Sequence, residues 1–225
     1  MLLVVLVQSY DIKDNLAKLK KDTKMLVFDM DGTIVNVTNI ELDLFAKLFH
    51  KPKRFFVQFF GPPSKILIKN AFPNLSERKI VLYNHLWEKK YQKEIKRREV
   101  VTQDTKDLLK KLKKKYILGI ITSSIQRVAI LTLKDSLCLF DFVLTPKDYN
   151  HPKPNPESLN KIIKQYKLRP KNIIYIGDNI NDILFGKNAK TKTIGKIDVL
   201  YSKNNLIKYN PDAIIKDFKE LKCLI

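Results

Sequence analysis

The sequence predicts an α/β fold: a doubly wound parallel sheet with an all-helical segment inserted near its start. Short apolar runs that each stop at polar residues support this class. They are Met25–Phe28 before Asp29, residues 116–121 before Thr122, and residues 173–176 before Gly177 and Asp178. Such runs are typical of buried parallel strands. Because open α/β sheets bind ligands at the carboxyl ends of their strands, the residues after these runs should share one site.

Length and composition limit the number of domains and the location of the protein. A chain of 225 residues, 44% of them apolar, can form one large domain or one domain with a smaller insert. The two cysteines, Cys138 and Cys223, are far apart, which argues against a disulfide framework or a structural zinc site and indicates a reducing compartment. Residues 1–7 are apolar but too few to span a membrane, and they lack signal-peptide features. We expect a cytoplasmic protein without a membrane partner.

The formal net charge of +20 is the most unusual feature of the composition. A basic surface can attract nucleic acid, membranes or anionic substrates. The excess is nearly all lysine, however, and the lysines are spread along a chain that is rich in Lys, Asn and Ile throughout. Arginine would be expected if phosphates were bound by bidentate contacts. Nucleic acid is therefore not the expected partner, although the charge keeps that alternative open.

Residues 36–100 show helical rather than strand patterns. We predict helices over residues 38–50, capped by Thr38 or Asn39, over a short stretch after Pro52, and over Ser64–Ala71. A longer helix starts at Ser76 and carries one apolar stripe: Ile80, Tyr83, Trp87, Tyr91 and Ile95. The spacing favours the core of a small helical bundle over a platform that stacks bases. A helix over residues 11–21 is predicted before the first strand.

Asp29 and Asp31 directly follow the first predicted strand, and Gly32 and Thr33 end the run. Two carboxylates on a tight turn suit two tasks: one can attack or hold a cation, and the other can move a proton. A turn without chemistry and a calcium loop are the alternatives. A calcium loop needs further oxygen ligands at alternate positions, which the apolar residues that follow do not supply.

The α/β pattern returns at Asp104 and brings further candidates to the same sheet edge. A helix over residues 107–115 precedes the strand that ends in the hydroxyl-rich run Thr122, Ser123 and Ser124, and such a helix start suits an anion. Prolines flank Lys153, and a stiffened loop could hold its ammonium against a phosphate. Asp178 and Asp182 follow the strand over residues 173–176. Carboxylates that converge repel one another unless a hard cation lies among them, and Mg²⁺ fits best.

In order and spacing, these residues resemble the four motifs of the haloacid dehalogenase superfamily, most closely its phosphoglycolate-phosphatase-like branch. The motifs are Asp29-Met-Asp31-Gly-Thr33, Thr122, Lys153 in Lys-Pro-Asn-Pro-Glu, and Gly177-Asp178-x-x-x-Asp182. The resemblance covers about residues 24–220 and implies a Rossmann-like core over residues 1–35 and 101–225, with a helical cap over residues 36–100. Asn36 departs from the pattern, because relatives often have Asp there.

The resemblance also implies the role of each residue. Asp29 would attack phosphorus, Asp31 would act as acid and then base, and Thr122 and Lys153 would complete the catalytic set. Phosphate would be bound by Gly32, Thr33, Ser123 and Lys153, and Mg²⁺ by Asp29, Asp31, Asp178 and Asp182, with Asp182 alternatively supporting Lys153. The loop of residues 61–65 resembles the cap segment that contacts substrate.

The expected activity is thus Mg²⁺-dependent hydrolysis of a small phosphate monoester by a monomer or weak homodimer. A phosphomutase would share every core residue and differ in the cap. A dehalogenase would use the first aspartate without needing the acid at Asp31 or a metal. A polynucleotide-end phosphatase, or another nucleic-acid-binding protein, would account for the charge and would bind with a steep dependence on salt.

Overall fold

The computed structural model of the protein describes residues 19–225. The predicted strand or tail of residues 1–7 and nearly all of the predicted helix over residues 11–21 lie outside the described residues. The described chain contains a six-stranded parallel sheet in the order β3-β2-β1-β4-β5-β6. Its strands are β1 (Met25–Phe28), β2 (Ile117–Ile121), β3 (Phe142–Leu144), β4 (Ile173–Gly177), β5 (Lys192–Lys196) and β6 (Ala213–Ile215).

Ten α-helices connect or flank these strands within residues 19–225. Between β1 and β2 lie α1 (Thr38–Phe49), α2 (Lys53–Val57), α3 (Ser64–Ala71), α4 (Glu77–Arg97) and α5 (Gln103–Lys113). After β2 come α6 (Gln126–Leu133), α7 (Glu157–Gln165), α8 (Ile180–Asn188), α9 (Lys203–Ile207) and α10 (Leu221–Leu224). Among these helices, none is both long and apolar enough to span a bilayer. The parallel sheet with flanking helices confirms the predicted fold class.

The strand register brings the carboxyl ends of the central strands to one level. Phe28, the last residue of β1, pairs with Ile120 of β2 on one side and with Ile176 of β4 on the other. All four residues of β1 are buried, as an apolar run in a sheet covered on both faces requires. The residues that follow β1, β2 and β4 therefore emerge side by side.

The core continues from the sheet into the helices that follow β1. Leu26 and Phe28 belong to the same buried apolar cluster as residues of α1 and α4. Within that cluster, the Trp87 ring stacks on Phe45 at 4.8 Å between centroids and on Tyr91 at 4.9 Å. The stripe predicted on α4 is thus largely core: of its five residues, only Tyr83 is merely half-buried.

Several predicted helix ends differ from the structure for physical reasons. Val37 precedes the first residue of α1, and no side chain caps that helix end. Thr38 instead donates a hydrogen bond of 2.7 Å to Asp198, 160 positions away. Helix α5 begins at Gln103, four residues before the prediction, because the Thr102 side chain accepts a hydrogen bond from the Thr105 amide. The sequence after Ser124 predicts a helix over residues 125–137, but the end of this stretch is a 3₁₀ turn that begins at Lys134, where φ is +48°.

Candidate active site

Three buried aspartates lie together at the carboxyl ends of β1 and β4. Asp29 follows β1, and its amide donates to the Ile176 carbonyl at 2.8 Å, which fixes it beside β4. Asp178 follows β4, and Asp182 lies in the first turn of α8. Asp29, Asp178 and Asp182 are 6%, 5% and 0% exposed, and a carboxylate oxygen from each lies within 4.8 Å of the others.

Lys153 reaches this cluster from the proline-flanked loop before α7. Its ammonium lies 2.5 Å from Asp29 Oδ1 and 2.7 Å from Asp182 Oδ1, and its side chain is 6% exposed. Burial alone would lower the pKa of Lys153, but the charges of Asp182 and Asp29 outweigh it and hold the pKa well above its usual value. The lysine is therefore a fixed positive charge at the sheet edge.

Tyr175 is a member of the site that the sequence did not identify. It lies inside β4 and resembles any other core residue there, yet its hydroxyl lies 3.1 Å from Lys153 Nζ and 3.2 Å from Asp182 Oδ1. It also lies 3.3 Å from the Ile121 carbonyl at the end of β2. Tyr175 thus helps to satisfy the buried Lys153–Asp182 pair.

Burial and mutual repulsion disfavour the charged forms of the carboxylates. Burial, reinforced by the charges of Asp182 and Asp31 and opposed by Lys153, raises the pKa of Asp29 to about 7. The pKa of Asp178 is raised well above its ordinary value by burial and by the charges of Asp29 and Asp182. Asp178 forms no ion pair with a lysine or arginine of residues 19–225. Its only side-chain hydrogen bond within those residues comes from Thr33, at 3.0 Å.

Asp31 lies two residues after Asp29 and lines the same cavity. Its Oδ2 accepts a 2.7 Å hydrogen bond from the Ser124 hydroxyl, a contact that the sequence could not reveal. Its Oδ1 is buried and has no hydrogen-bond partner in the described part of the chain. Burial raises the pKa of Asp31, and the hydrogen bond from Ser124 opposes that increase. A carboxyl group in this state can hold a proton and release it.

Thr122 and Ser123 lie where the sequence predicted, after β2. The buried Thr122 hydroxyl accepts a 3.0 Å hydrogen bond from the Ser124 amide, and both Thr122 and Ser123 line the same cavity as Asp29. Gly32 and Thr33, by contrast, do not line that cavity. Gly32 has φ of +80°, and a Cβ there would lie 2.5 Å from an Asp178 oxygen, so only glycine fits.

The cavity at these residues has a volume of about 220 Å³ and is also lined by residues of α1 and α4, which follow β1 in the chain. The loop of residues 61–65, which the sequence singled out, forms part of the lining. Asp29, Asp31, Asp178 and Lys153 line the same cavity. The structure therefore brings together the strand-end residues and the predicted substrate loop around one cavity.

The donor set at the sheet edge fits a hard divalent cation. Asp29 and Asp178 present carboxylate oxygens to one another in a buried place, and Asp178 has no compensating positive charge within residues 19–225. Asp182 fits less well, because Lys153 and Tyr175 bind its Oδ1 and the Asn179 amide binds its Oδ2 at 3.2 Å. The residues present thus suit a magnesium site built on Asp29 and Asp178.

A parallel α/β sheet with a buried aspartate, an acid beside it and a fixed lysine suits a hydrolase whose nucleophile is a carboxylate. The model of the family described as haloacid dehalogenase-like hydrolases matches residues 26–196. The chain belongs to this family. The match confirms the family predicted from the four motifs and the predicted class of enzyme, a phosphatase-type hydrolase.

Several named proteins are similar to this chain over most of its length. Pyrophosphatase PpaX of Anoxybacillus flavithermus is 29% identical over 210 residues, which cover 89% of this chain and 95% of that protein. Among solved structures, a predicted phosphoglycolate phosphatase from Haemophilus somnus superimposes with a TM-score of 0.78 at 22% identity, covering 91% of this chain and 98% of that one. CbbY from Rhodobacter sphaeroides, solved with phosphate, has a TM-score of 0.76 at 14% identity and covers 88% and 96%.

Proposed function

We propose that the protein is a Mg²⁺-dependent phosphatase that hydrolyses a small phosphate monoester through an aspartyl phosphate on Asp29. The position of Asp29 carries this proposal. Lys153 binds its Oδ1, while no side chain of residues 19–225 hydrogen-bonds to its Oδ2. One oxygen is thus anchored and the other is available for attack in a cavity that holds only a small molecule.

Two displacements at phosphorus complete the reaction. Asp29 Oδ2 attacks, the bond from phosphorus to the ester oxygen breaks, and Asp31 gives that oxygen its proton, so that an alcohol leaves. Asp31, now a carboxylate, then takes a proton from a water molecule. The water oxygen attacks phosphorus, the bond to Asp29 breaks, and inorganic phosphate is released. Asp31 ends protonated, as it began.

The remaining residues orient the phosphoryl group. We assign Lys153, Thr122 and Ser123 to its oxygens, because a lysine and a hydroxyl-lined helix start suit that charge. The metal would be held by Asp29, the main-chain oxygen of Asp31 and Asp178. Bound Mg²⁺ supplies positive charge that offsets the charge of the transferring group. Asp182 holds Lys153 in place. Gly32 and Thr33 shape the turn behind Asp178. A direct role of these two residues in phosphate binding has less support, because neither lines the cavity.

We further propose that residues 36–100 act as a cap over a core formed by residues 1–35 and 101–225. Support comes from the cavity, because residues of α1, α4 and the loop of residues 61–65 line it together with the strand-end residues of the core. Closure of such a cap excludes water during transfer, and opening releases product. The cavity volume of about 220 Å³ favours a small substrate over a polynucleotide end.

The test is phosphate release from a panel of monoesters that includes p-nitrophenyl phosphate, with Mg²⁺ or with EDTA. We expect release that requires Mg²⁺ and that disappears in Asp29→Asn. We expect an aspartyl phosphate on the wild type, detected as a covalent phosphate label that is stable to acid and is removed by hydroxylamine. The variant should carry no such label. Folded wild-type protein that releases no phosphate from any ester, or Asp29→Asn protein that remains active, would contradict the proposal.

A further inference from the structure

Part of the cavity lining carries side chains that the proposed reaction does not use. This part comes from α1, α4 and the loop of residues 61–65, and we call it the distal pocket. Its polar residues include Glu41, Ser64, Asn84 and Glu88. The rings of Phe45, Phe60 and Trp87 line the same part of the cavity. The leaving group of a phosphate ester bound at Asp29 would extend into this space.

A chain of hydrogen bonds in the distal pocket ends on a carboxylate. Ser64 donates to the side-chain carbonyl oxygen of Asn84 at 2.7 Å, and the Asn84 side-chain amide donates to Glu88 Oε1 at 2.9 Å. Lys65 pairs with Glu77 at 2.6 Å and is half exposed. The donors of Ser64 and Lys65 are therefore used within the protein, and Glu88 adds a second carboxylate to the pocket.

Glu41 contributes a carboxylate without a partner to this pocket. It lies in the first turn of α1, lines the cavity and is half-buried. Its side chain forms no hydrogen bond or ion pair with any other residue of 19–225. Burial, together with the charges of Asp31, Asp198 and Asp29, raises its pKa well above the ordinary value, so negative charge is in excess around it. A partly desolvated carboxylate without a partner is costly unless a ligand supplies the missing cation.

The uncompensated carboxylate of Glu41 selects the leaving group. A second anion, such as the carboxylate of phosphoglycolate or the second phosphate of pyrophosphate, would meet the carboxylates of Glu41 and Glu88 in this pocket. We propose that the substrate is the phosphate monoester of a small amino alcohol, whose protonated amine is bound by Glu41. This inference rests on the phosphatase activity proposed above, and it separates this chain from the activities named for its relatives.

Three esters of matched length test the inference. 2-Aminoethyl phosphate carries a cation, propyl phosphate is neutral and phosphoglycolate carries an anion at the same position. With Mg²⁺, we expect kcat/KM for 2-aminoethyl phosphate to exceed that for propyl phosphate about tenfold and that for phosphoglycolate about a hundredfold or more, because like charges in a desolvated site are strongly unfavourable. Equal or reversed ranking would overturn the inference.

Glu41→Gln removes the charge and keeps the size of the side chain. The ratio of kcat/KM between 2-aminoethyl phosphate and propyl phosphate should fall to about one if Glu41 binds the amine. Glu94→Gln is the matched control, because Glu94 is on α4, lies outside the cavity and pairs with Arg98. Its ratio should equal that of the wild type. A purely structural role of Glu41 at the start of α1 would change the melting temperature and leave the ratio unchanged, which would overturn the inference.

Failure of this inference is distinguishable from failure of the proposed function. Magnesium-dependent hydrolysis of p-nitrophenyl phosphate without a preference for the amino ester refutes the substrate class alone. No hydrolysis of any ester by folded protein refutes both.

Discussion

Lys153 and Asp182 form an ion pair that is almost completely shielded from solvent, with 2.7 Å between Nζ and Oδ1 and exposures of 6% and 0%. They come from different parts of the chain, the loop before α7 and the first turn of α8. Burying two charges is costly unless their remaining hydrogen bonds are satisfied, and here Asp29 and Tyr175 complete the set. The pair therefore fixes the ammonium beside the proposed nucleophile.

Asp182→Asn tests whether this fixation matters for the chemistry. The substitution keeps the shape of the side chain but leaves Lys153 with Asp29 as its only anionic partner at hydrogen-bond distance among the described residues. We expect kcat to fall about 10- to 100-fold, the range typical of residues that orient a group in contact with substrate. Steady-state kinetics on p-nitrophenyl phosphate with saturating Mg²⁺ measures the effect.

Tyr175→Phe is the milder companion variant, because it removes a hydroxyl from the same cluster without changing charge. Its kcat should fall less than that of Asp182→Asn. If Asp182→Asn retained wild-type kcat, the pair would have no function in positioning Lys153.

The strand-end residues of the site were predictable from the sequence, but the contacts between them were not. An apolar run that stops at Asp29 or Asp178 indicates a buried strand and its carboxyl end, which is local information. The bonds from Ser124 to Asp31 and from Thr38 to Asp198 join residues 93 and 160 positions apart. Such contacts depend on the order of strands in the sheet, which no local pattern contains. Tyr175 was overlooked because an aromatic residue inside a strand fits the core equally well.

Helix ends were predicted less well than helix positions, and α9 was not predicted. The caps explain the errors: Thr102 starts α5 earlier than its apolar spacing indicates, and Lys134 ends α6 by adopting a positive φ. Apolar periodicity reports which face of a helix is buried. It does not report where the last backbone hydrogen bond forms.

Asp31→Asn should separate the two chemical steps. The variant cannot protonate a leaving oxygen or deprotonate water, each of which is worth about 100- to 10,000-fold in rate. p-Nitrophenolate leaves without a proton, so Asp29 can still be phosphorylated by that ester. We expect a burst of p-nitrophenolate about equal to the enzyme concentration, followed by a slow steady rate, in stopped-flow measurements.

The same variant should show neither a burst nor turnover with an alkyl phosphate, whose leaving oxygen needs the proton. If Asp31→Asn slowed the phosphorylation of Asp29 equally with both esters, Asp31 would not be the acid.

Ser124→Ala should change the dependence of activity on pH. The Ser124 hydroxyl stabilises the charged form of Asp31 and so lowers the pKa of Asp31, while burial raises it. Without the hydroxyl, the pKa of Asp31 rises and the acid stays protonated to higher pH. In a plot of kcat/KM against pH for an alkyl phosphate, the decline at alkaline pH should therefore move to higher pH.

Ser123→Ala is the control. Ser123 forms no hydrogen bond with Asp31, and the alkaline decline should therefore occur at the same pH as in the wild type.

Asp178→Asn should stabilise the protein while abolishing its response to Mg²⁺. Burial and the charges of Asp29 and Asp182 raise the pKa of Asp178, so its ionised form destabilises the fold as pH rises through that pKa. Asparagine removes the charge and can still accept the hydrogen bond from Thr33. In EDTA at pH 8 we expect a gain of about 1 kcal/mol, or about 2–4 °C in melting temperature, and a smaller gain at lower pH, as the wild-type carboxyl becomes protonated. Mg²⁺ should raise the melting temperature of the wild type and not that of the variant.

Asp107→Asn, at an exposed position, is the control. It should change neither the melting temperature in EDTA nor the increase caused by Mg²⁺. A lower melting temperature of Asp178→Asn in EDTA at pH 8 would show that charge repulsion is not what Asp178 contributes to the metal-free protein.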